Sequence, residues 1–164
     1  MKQEPCHACG ALGPKMDGPV HRYLESSPGC WAMYGEVLAR EFSDVAYFAN
    51  HRFTVDAYAV QHPGQPSPQS IQSVALHLAS LFVILERDTQ PKAATELMQG
   101  LAQHKAAFHW IEPPADLGAR TVRDLWETHG LEAHLNAARD WAEAAWSAWE
   151  PHHDQVRDWV ERLG

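Results

Sequence analysis

The segment from Ser67 to about Arg87 is apolar on almost every side, and it constrains the fold more than any other feature. Ser67 and Pro68 match an N-cap followed by a first helical residue, so a helix is predicted to begin here. A helix that is apolar all round is normally buried, so we expect it at the centre of the domain. Its polar residues share one stripe at helical spacing: Ser70, Ser73, His77 and Ser80. This polar stripe has a purely structural explanation, in which the small hydroxyls allow close helix packing and the histidine has one hydrogen-bond partner in the core. The alternative is that the stripe has a function.

Helical periodicity also describes the rest of the chain, and no run is typical of a strand. The predicted helices cover residues 27–43, 45–61, 67–87, 91–108, 121–130 and 131–163, with a kink or restart at Pro151. The first should pack through Trp31, Tyr34, Leu38 and Phe42, and the second through Val45, Phe48, Val55 and Ala59. The prediction is an all-α bundle of five to seven helices over residues 27–164, with an irregular arm over residues 1–25. The 164 residues suit one domain.

The charge balance excludes some partners. Thirteen basic and 21 acidic residues give a formal charge of −8, which repels nucleic acid and anionic lipid. The N-terminus has no apolar run, and the stretch from Val74 to Leu85 is too short to span a bilayer. We therefore expect a cytoplasmic protein that binds neither nucleic acid nor membrane. A small-molecule ligand and a homo-oligomer stay open as partners.

Two cysteines near the N-terminus have the spacing of a metal knuckle. Cys6 and Cys9 lie in CHACG, where the turn between them lets both sulfurs face one ion, and Gly10 supplies backbone freedom. A zinc ribbon needs a second CxxC pair, which the chain lacks, so the remaining ligands must come from elsewhere. The alternative is a redox disulfide between Cys6 and Cys9, although the βαβ pattern of such oxidoreductases is missing.

The third cysteine is predicted in the first turn of a helix. With Ser27 as N-cap and Pro28 as the first helical residue, Cys30 lies beside the unpaired amides of the helix start. That position favours a thiolate and lowers the thiol pKa from its ordinary value of about 8.5. The alternative role of Cys30 is that of a small buried hydrophobe.

Neighbouring helices joined by short connections are antiparallel, which places the start of the first helix opposite the end of the second. With the arm entering above them, this arrangement predicts a Zn²⁺ site made by Cys6, Cys9 and Cys30, with His21 or His62 as the fourth ligand. If protein groups fill all four positions, the ion is structural and staples the arm to the bundle.

Deeper in the bundle, Asp56 and His77 are predicted to form a carboxylate–imidazole pair. If one metal position were open to water, either residue could act as a general base, which makes a metal-dependent hydrolase or transferase the alternative function. Whether the protein is an enzyme is left open by the sequence. His152 and His153, adjacent in the last helical segment, either hydrogen-bond a carbonyl or ligate an ion.

Four phrases carry a resemblance to a known family: CHACG, DGPVHRYLESSPGCW, DAYAVQHPG with SPQSIQSVALHL, and WEPHHDQVRDW. In order and spacing they resemble a family of uncharacterised bacterial proteins that open with a CxxCG knuckle, which implies a bacterial source and no particular activity. The chain is also loosely similar to the DinB and YfiT helical metalloproteins, in which three histidines on bundle helices hold a divalent metal. This similarity points to His62, His77 and His152 or His153, although the chain has no HxxxH pair.

Overall fold

The computed structural model describes residues 2–164, which form a helical bundle with a small N-terminal hairpin. The α-helices are α1 Pro28–Ser43, α2 His51–Gln61, α3 Pro68–Arg87, α4 Pro91–Leu101, α5 Val122–Trp126, α6 Leu131–Ala148 and α7 His153–Leu163. The predicted fold class is therefore confirmed. The arm is more regular than predicted, because the strands β1 Gln3–Pro5 and β2 Leu12–Pro14 pair antiparallel with Glu4 opposite Gly13.

Serine caps begin α1 and α3 as the sequence predicts. The Ser27 hydroxyl accepts a hydrogen bond from the Cys30 amide, and the Ser67 hydroxyl accepts one from the Ser70 amide. Proline follows each cap at the first helical position, where its missing N–H is not needed. The start of α1, which carries Cys30, is thus fixed by local sequence.

The long helix α3 lies at the centre of the bundle and packs against α2, α4, α6 and α7. Its length and hydropathy would also suit a membrane span, and half of that apolar window is buried inside the bundle. The three largest enclosed side chains, Trp141, Trp149 and Trp159, complete the core. The Trp141 indole donates to the Gln61 side chain, and the Trp149 indole donates to the Val60 carbonyl. These two hydrogen bonds hold α2 against α6.

Three helix boundaries differ from the prediction. The segment 45–61 is split into a 3-10 turn, Tyr47–Asn50, and α2. The segment 91–108 ends as a helix at Leu101 and continues as a 3-10 stretch, Ala102–Ala107. The segment 121–130 is helical only from Val122 to Trp126. The predicted restart at Pro151 is found, because α7 follows a short 3-10 turn at a proline that cannot continue the hydrogen-bond ladder.

Three residues predicted on the apolar faces of the first two helices lie outside the core. Phe42 is 68% exposed, Val45 is 88% exposed and Phe48 is 39% exposed. The face that α1 buries carries Glu41 rather than its neighbour Phe42. Val45 and Phe48 follow Asp44, whose extended conformation (φ −147°, ψ 123°) ends α1, and they lie in the connection before α2. The Asp44 carboxylate then accepts a hydrogen bond from the Ala46 amide and fixes the turn.

Candidate metal centre

The N-terminal hairpin turns through a tight knuckle that carries two sulfurs. The Cys6 amide donates to the Ala11 carbonyl at 2.8 Å, and the Gly10 amide donates to the Cys6 carbonyl at 2.9 Å. Gly10 has φ +78°, a left-handed conformation that side-chain-bearing residues rarely adopt. This local geometry orients Cys6 and Cys9 toward the bundle.

The bundle supplies the other two donors from helix ends that face each other. Cys30 lies in the first turn of α1, and His62 follows directly after the last residue of α2. Because α1 and α2 run antiparallel, the Cys30 sulfur comes within 3.5 Å of the His62 Nε2 atom. The predicted approach of these two helix ends is confirmed.

The four donors form one compact cluster. The Cys9 and Cys30 sulfurs are 3.8 Å apart, and the Cys6 sulfur is 3.7 Å from His62 Nε2. All four donor atoms lie within 4.8 Å of one another, close enough to hold a metal ion together. Cys6, Cys30 and His62 are buried and Cys9 is half-buried, and the three cysteines are free thiols rather than a disulfide.

Hydrogen bonds from surrounding groups orient the donors. The His62 Nδ1 atom lies 2.7 Å from the Tyr58 carbonyl, which can only accept, so Nδ1 carries the proton and Nε2 keeps its lone pair for the cluster. The Tyr58 ring also stacks on the His62 ring at a centroid distance of 4.0 Å. The Ser27 amide donates to the Cys6 sulfur at 3.4 Å. Such outer contacts are typical of metal-ligating histidines and thiolates.

The three thiols of the cluster change one another's pKa values. Hydrogen bonds from the Cys30 and Cys9 thiols lower the pKa of Cys6, whereas the bond to Cys6 raises the pKa of Cys30. The hydrogen bonds to Cys6 and Cys9, together with burial, therefore raise the pKa of Cys30, against the expectation that the helix start lowers it. A bound cation reverses this balance, since a coordinating thiol is deprotonated.

His21, the other proposed fourth ligand, is not part of this cluster. Its Nδ1 atom accepts hydrogen bonds from the Tyr23 and Leu24 amides at 3.2 and 3.1 Å, and its ring packs at 5.5 Å from the ring of Trp31. A histidine whose ring nitrogen caps a turn is committed to local structure. The irregular arm gave no periodicity from which this could be predicted.

The family model of DUF5946, described as a family of unknown function, matches residues 4–150. The chain belongs to this family. The match confirms the resemblance to an uncharacterised family, and it includes all four residues of the cluster. No curated protein and no solved structure matches this DUF5946 member.

The predicted pair of Asp56 and His77 is formed in this DUF5946 protein, but outside the metal cluster. His77 Nδ1 lies 2.8 Å from the Asp56 carboxylate, which also accepts from Arg52 at 2.7 Å and from the Ser80 hydroxyl. Asp56 precedes His62 by about 9 Å along α2, at a rise of ~1.5 Å per residue. At that distance Asp56 does not reach an ion bound by His62, and a catalytic role for Asp56 and His77 stays a prediction.

The remaining histidines of interest bind backbone carbonyls. His152 Nε2 donates to the Glu112 carbonyl at 2.7 Å, and His153 Nε2 donates to the Trp146 carbonyl at 2.8 Å while its ring stacks on that indole. Within residues 2–164, no further group of three or more His, Cys, Asp or Glu side chains comes close enough to hold an ion. The three-histidine arrangement suggested by the DinB similarity is thus not assembled in the described part of the chain.

A second buried polar cluster was missed by the sequence analysis. The enclosed Glu41 carboxylate accepts hydrogen bonds from His51 at 2.7 Å, from His134 at 3.0 Å and from the Thr54 hydroxyl. Burial alone would raise the pKa of Glu41, but these hydrogen bonds outweigh burial and lower it. The sequence offered no signal for this cluster, because His134 lies on α6, far from the other three residues along the chain.

Proposed function

We propose that this protein binds one Zn²⁺ ion through Cys6, Cys9, Cys30 and His62, and that the ion ties the N-terminal hairpin to the helical bundle. The spacing of the donors carries the proposal. With Zn–S bonds of about 2.3 Å and a Zn–N bond of about 2.0–2.1 Å, a tetrahedron has edges of roughly 3.8 Å between sulfurs and 3.6 Å between sulfur and nitrogen. The observed separations are 3.8 Å for the sulfurs of Cys9 and Cys30, and 3.5 and 3.7 Å from sulfur to His62 Nε2.

The donor chemistry supports zinc over harder ions. Thiolates with one imidazole select soft or borderline metals, whereas Mg²⁺ and Ca²⁺ prefer oxygen ligands. Three cysteines and one histidine are a common ligand set of structural zinc sites, in which protein groups occupy every position. A closed tetrahedron leaves no place for a reactive water, which favours the structural role over the metal-dependent hydrolase or transferase.

The N-terminal hairpin has few stabilising contacts of its own. Its two strands have three residues each, and isolated two-stranded hairpins are marginally stable in water. Between Lys2 and Glu25 the arm buries only two side chains in the core, Cys6 and Ala11. An ion held by two ligands from the arm and two from the bundle would supply the missing stability, because metal binding and folding share one free energy.

Metal analysis of the purified protein tests the proposal. We expect one zinc per chain, and replacement of that zinc by Co²⁺ should give thiolate-to-cobalt charge-transfer bands and the intense d–d absorption of a tetrahedral site. Cys9→Ser should abolish stoichiometric metal binding and lower the melting temperature. Cys9 is the variant of choice because it is the least buried of the three thiols.

The knuckle itself provides a matched control. His7 lies between the two cysteines but is exposed and outside the cluster, so His7→Ala should retain the zinc and the melting temperature. His21→Ala should also retain the zinc, whereas His62→Ala should lose it. Iron in place of zinc, an octahedral cobalt spectrum, or full metal content in Cys9→Ser would each refute the proposal.

A further inference from the structure

A chamber of about 470 Å³ opens at the end of the bundle opposite the metal cluster, where α2 begins and α4 passes beside it. Its walls are mainly apolar and include Val45, Phe48, Ala49 and Pro91. A narrow extension continues inward past Phe53 and Ile84. The volume falls within the range of roughly 300–1,000 Å³ that is typical of small-molecule sites.

One wall of the chamber is aromatic and held rigidly. The His51 ring stacks on the Phe48 ring at a centroid distance of 4.3 Å, with 16° between the planes. His51 Nδ1 is fixed in turn by the buried Glu41 carboxylate at 2.7 Å. A surface that is preorganised in this way loses little entropy when it packs against a flat or chain-like apolar group.

A positively charged side chain with unused donors lies beside that wall. Arg52 lines the chamber and donates to one oxygen of the buried Asp56 through Nε and through Nη2, at 3.0 and 2.7 Å. The Nη1 atom has no hydrogen-bond partner in the described part of the chain, and it is not enclosed by protein. Nη2 also lies 3.5 Å from His77 Nδ1, so Nη1 is the donor of Arg52 that remains available to a ligand.

A second cation lies on the α4 side of the chamber. Lys92 is exposed, lines the chamber, and makes no ion pair with any carboxylate among residues 2–164. The chamber walls contain no acidic residue. Because Asp56 already pairs with Arg52, Lys92 supplies the unpaired positive charge beside the apolar cavity, and Arg52 adds a hydrogen-bond donor. Together they make the site complementary to an anion.

We propose that this chamber binds a small organic carboxylate, whose apolar body lies against Phe48 and His51 and whose carboxylate accepts from Nη1 of Arg52 and from Lys92. A carboxylate has two acceptor oxygens, so one can accept from the guanidinium and the other from the ammonium. The apolar walls supply affinity, and the two cations fix the orientation of the ligand. This site is independent of the proposed zinc function, because it shares no residue with the metal cluster.

The binding test uses 4-phenylbutyrate as the probe and isothermal titration calorimetry as the assay, with the zinc-loaded full chain. The neutral 4-phenylbutanamide keeps the apolar body without the charge, and acetate keeps the charge without the body. We expect 4-phenylbutyrate to bind roughly tenfold or more tightly than either compound, because the paired charge and the buried body both contribute. Amide signals of residues 45–52 and 92–95 should shift in the NMR spectrum.

Variants locate the site. Ala49→Leu fills the chamber from an exposed position and should abolish binding, and Lys92→Gln should weaken it several-fold. Arg52→Lys keeps a cation beside Asp56 but removes the Nη1 donor, so it should weaken binding by roughly tenfold. The matched control is Lys105→Gln, because Lys105 lines a different cleft and should leave the affinity unchanged.

Four results would overturn the proposal: no binding of 4-phenylbutyrate, equal affinities for the acid and its amide, tighter binding of phenyl phosphate than of 4-phenylbutyrate, or unchanged affinity in Ala49→Leu. Sedimentation of the free protein gives a further check. If the exposed residues Phe42, Val45 and Phe48 mediate self-association that Ala49→Leu abolishes, a second copy of the chain occupies the chamber and the ligand proposal fails.

Discussion

The buried Glu41 carboxylate allows a demanding test of how the bundle is held together, through the substitution Glu41→Gln. Glu41 is fully enclosed and accepts from His51, His134 and Thr54, which belong to α2 and α6. Glutamine has the same shape but carries no charge, and its amide nitrogen meets a donor where an acceptor is needed. Breaking a buried charge network of this kind costs about 3–5 kcal/mol.

That cost should be visible in equilibrium urea unfolding and in thermal melting at pH 7. For a chain of this size 1 kcal/mol shifts the melting temperature by about 2–4 °C, so we expect a decrease of roughly 6–20 °C. The matched control is Glu161→Gln, because Glu161 is 62% exposed and pairs with Arg87 at the surface. A surface pair of that kind contributes about 0–1 kcal/mol.

The pH dependence separates a charge effect from a packing effect. Because the folded-state pKa of Glu41 is lowered, its stabilising contribution is complete above the ordinary glutamate pKa of about 4.3 and is lost as pH falls through the folded-state value. The stability difference between the wild type and Glu41→Gln should therefore narrow as the pH falls below about 4.3. A difference below about 1 kcal/mol at pH 7, or one that does not change as the pH falls below 4, would refute this account of the network.

Two further predictions concern packing. A Cβ atom added at Gly29 would lie 2.1 Å from the Pro14 carbonyl oxygen, so Gly29→Ala should displace β2 from α1 and reduce zinc retention in metal analysis. The control is Gly35→Ala, because a Cβ atom there meets no atom within 4 Å. This variant should keep the zinc and raise the free energy of unfolding by up to about 1 kcal/mol. Trp141→Phe removes the hydrogen bond to the buried Gln61 side chain and should lower the free energy of unfolding by about 1–3 kcal/mol in urea, while an unchanged value would mean that the Gln61 amide finds another partner.

The sequence predicted those features that depend on local rules. The Ser27 and Ser67 caps determine where α1 and α3 begin, and the caps require only the residues beside them. The approach of Cys30 to His62 follows from antiparallel helices joined by a short connection. These steps need no knowledge of distant packing, and they were enough to predict three of the four cluster residues and to narrow the fourth to two histidines.

The sequence failed where distant parts of the chain decide the outcome. Glu41 has the appearance of a surface charge on α1, and only the packing of α6, which brings His134 to within 3.0 Å, makes its burial tolerable. Phe42 continues the apolar spacing of α1, but the face that α1 buries carries Val37 and Glu41, and Val45 falls in the turn after Asp44. An apolar pattern in the sequence does not distinguish residues that face the core from residues that line a surface cavity, such as Val45 and Phe48.

The metal cluster and the Glu41 network lie at opposite ends of the antiparallel pair of α1 and α2. Cys30 and Glu41 are about 16 Å apart along α1, and the same distance separates His62 from His51 along α2, at a rise of ~1.5 Å per residue. The Cys30–His62 contact therefore joins one end of the helix pair, and the Glu41–His51 contact joins the other. The end beside the chamber is held by buried carboxylates of the protein, which need no ion. It follows that loss of the metal should loosen the hairpin end first, and that the zinc experiments and the Glu41→Gln experiment can fail independently.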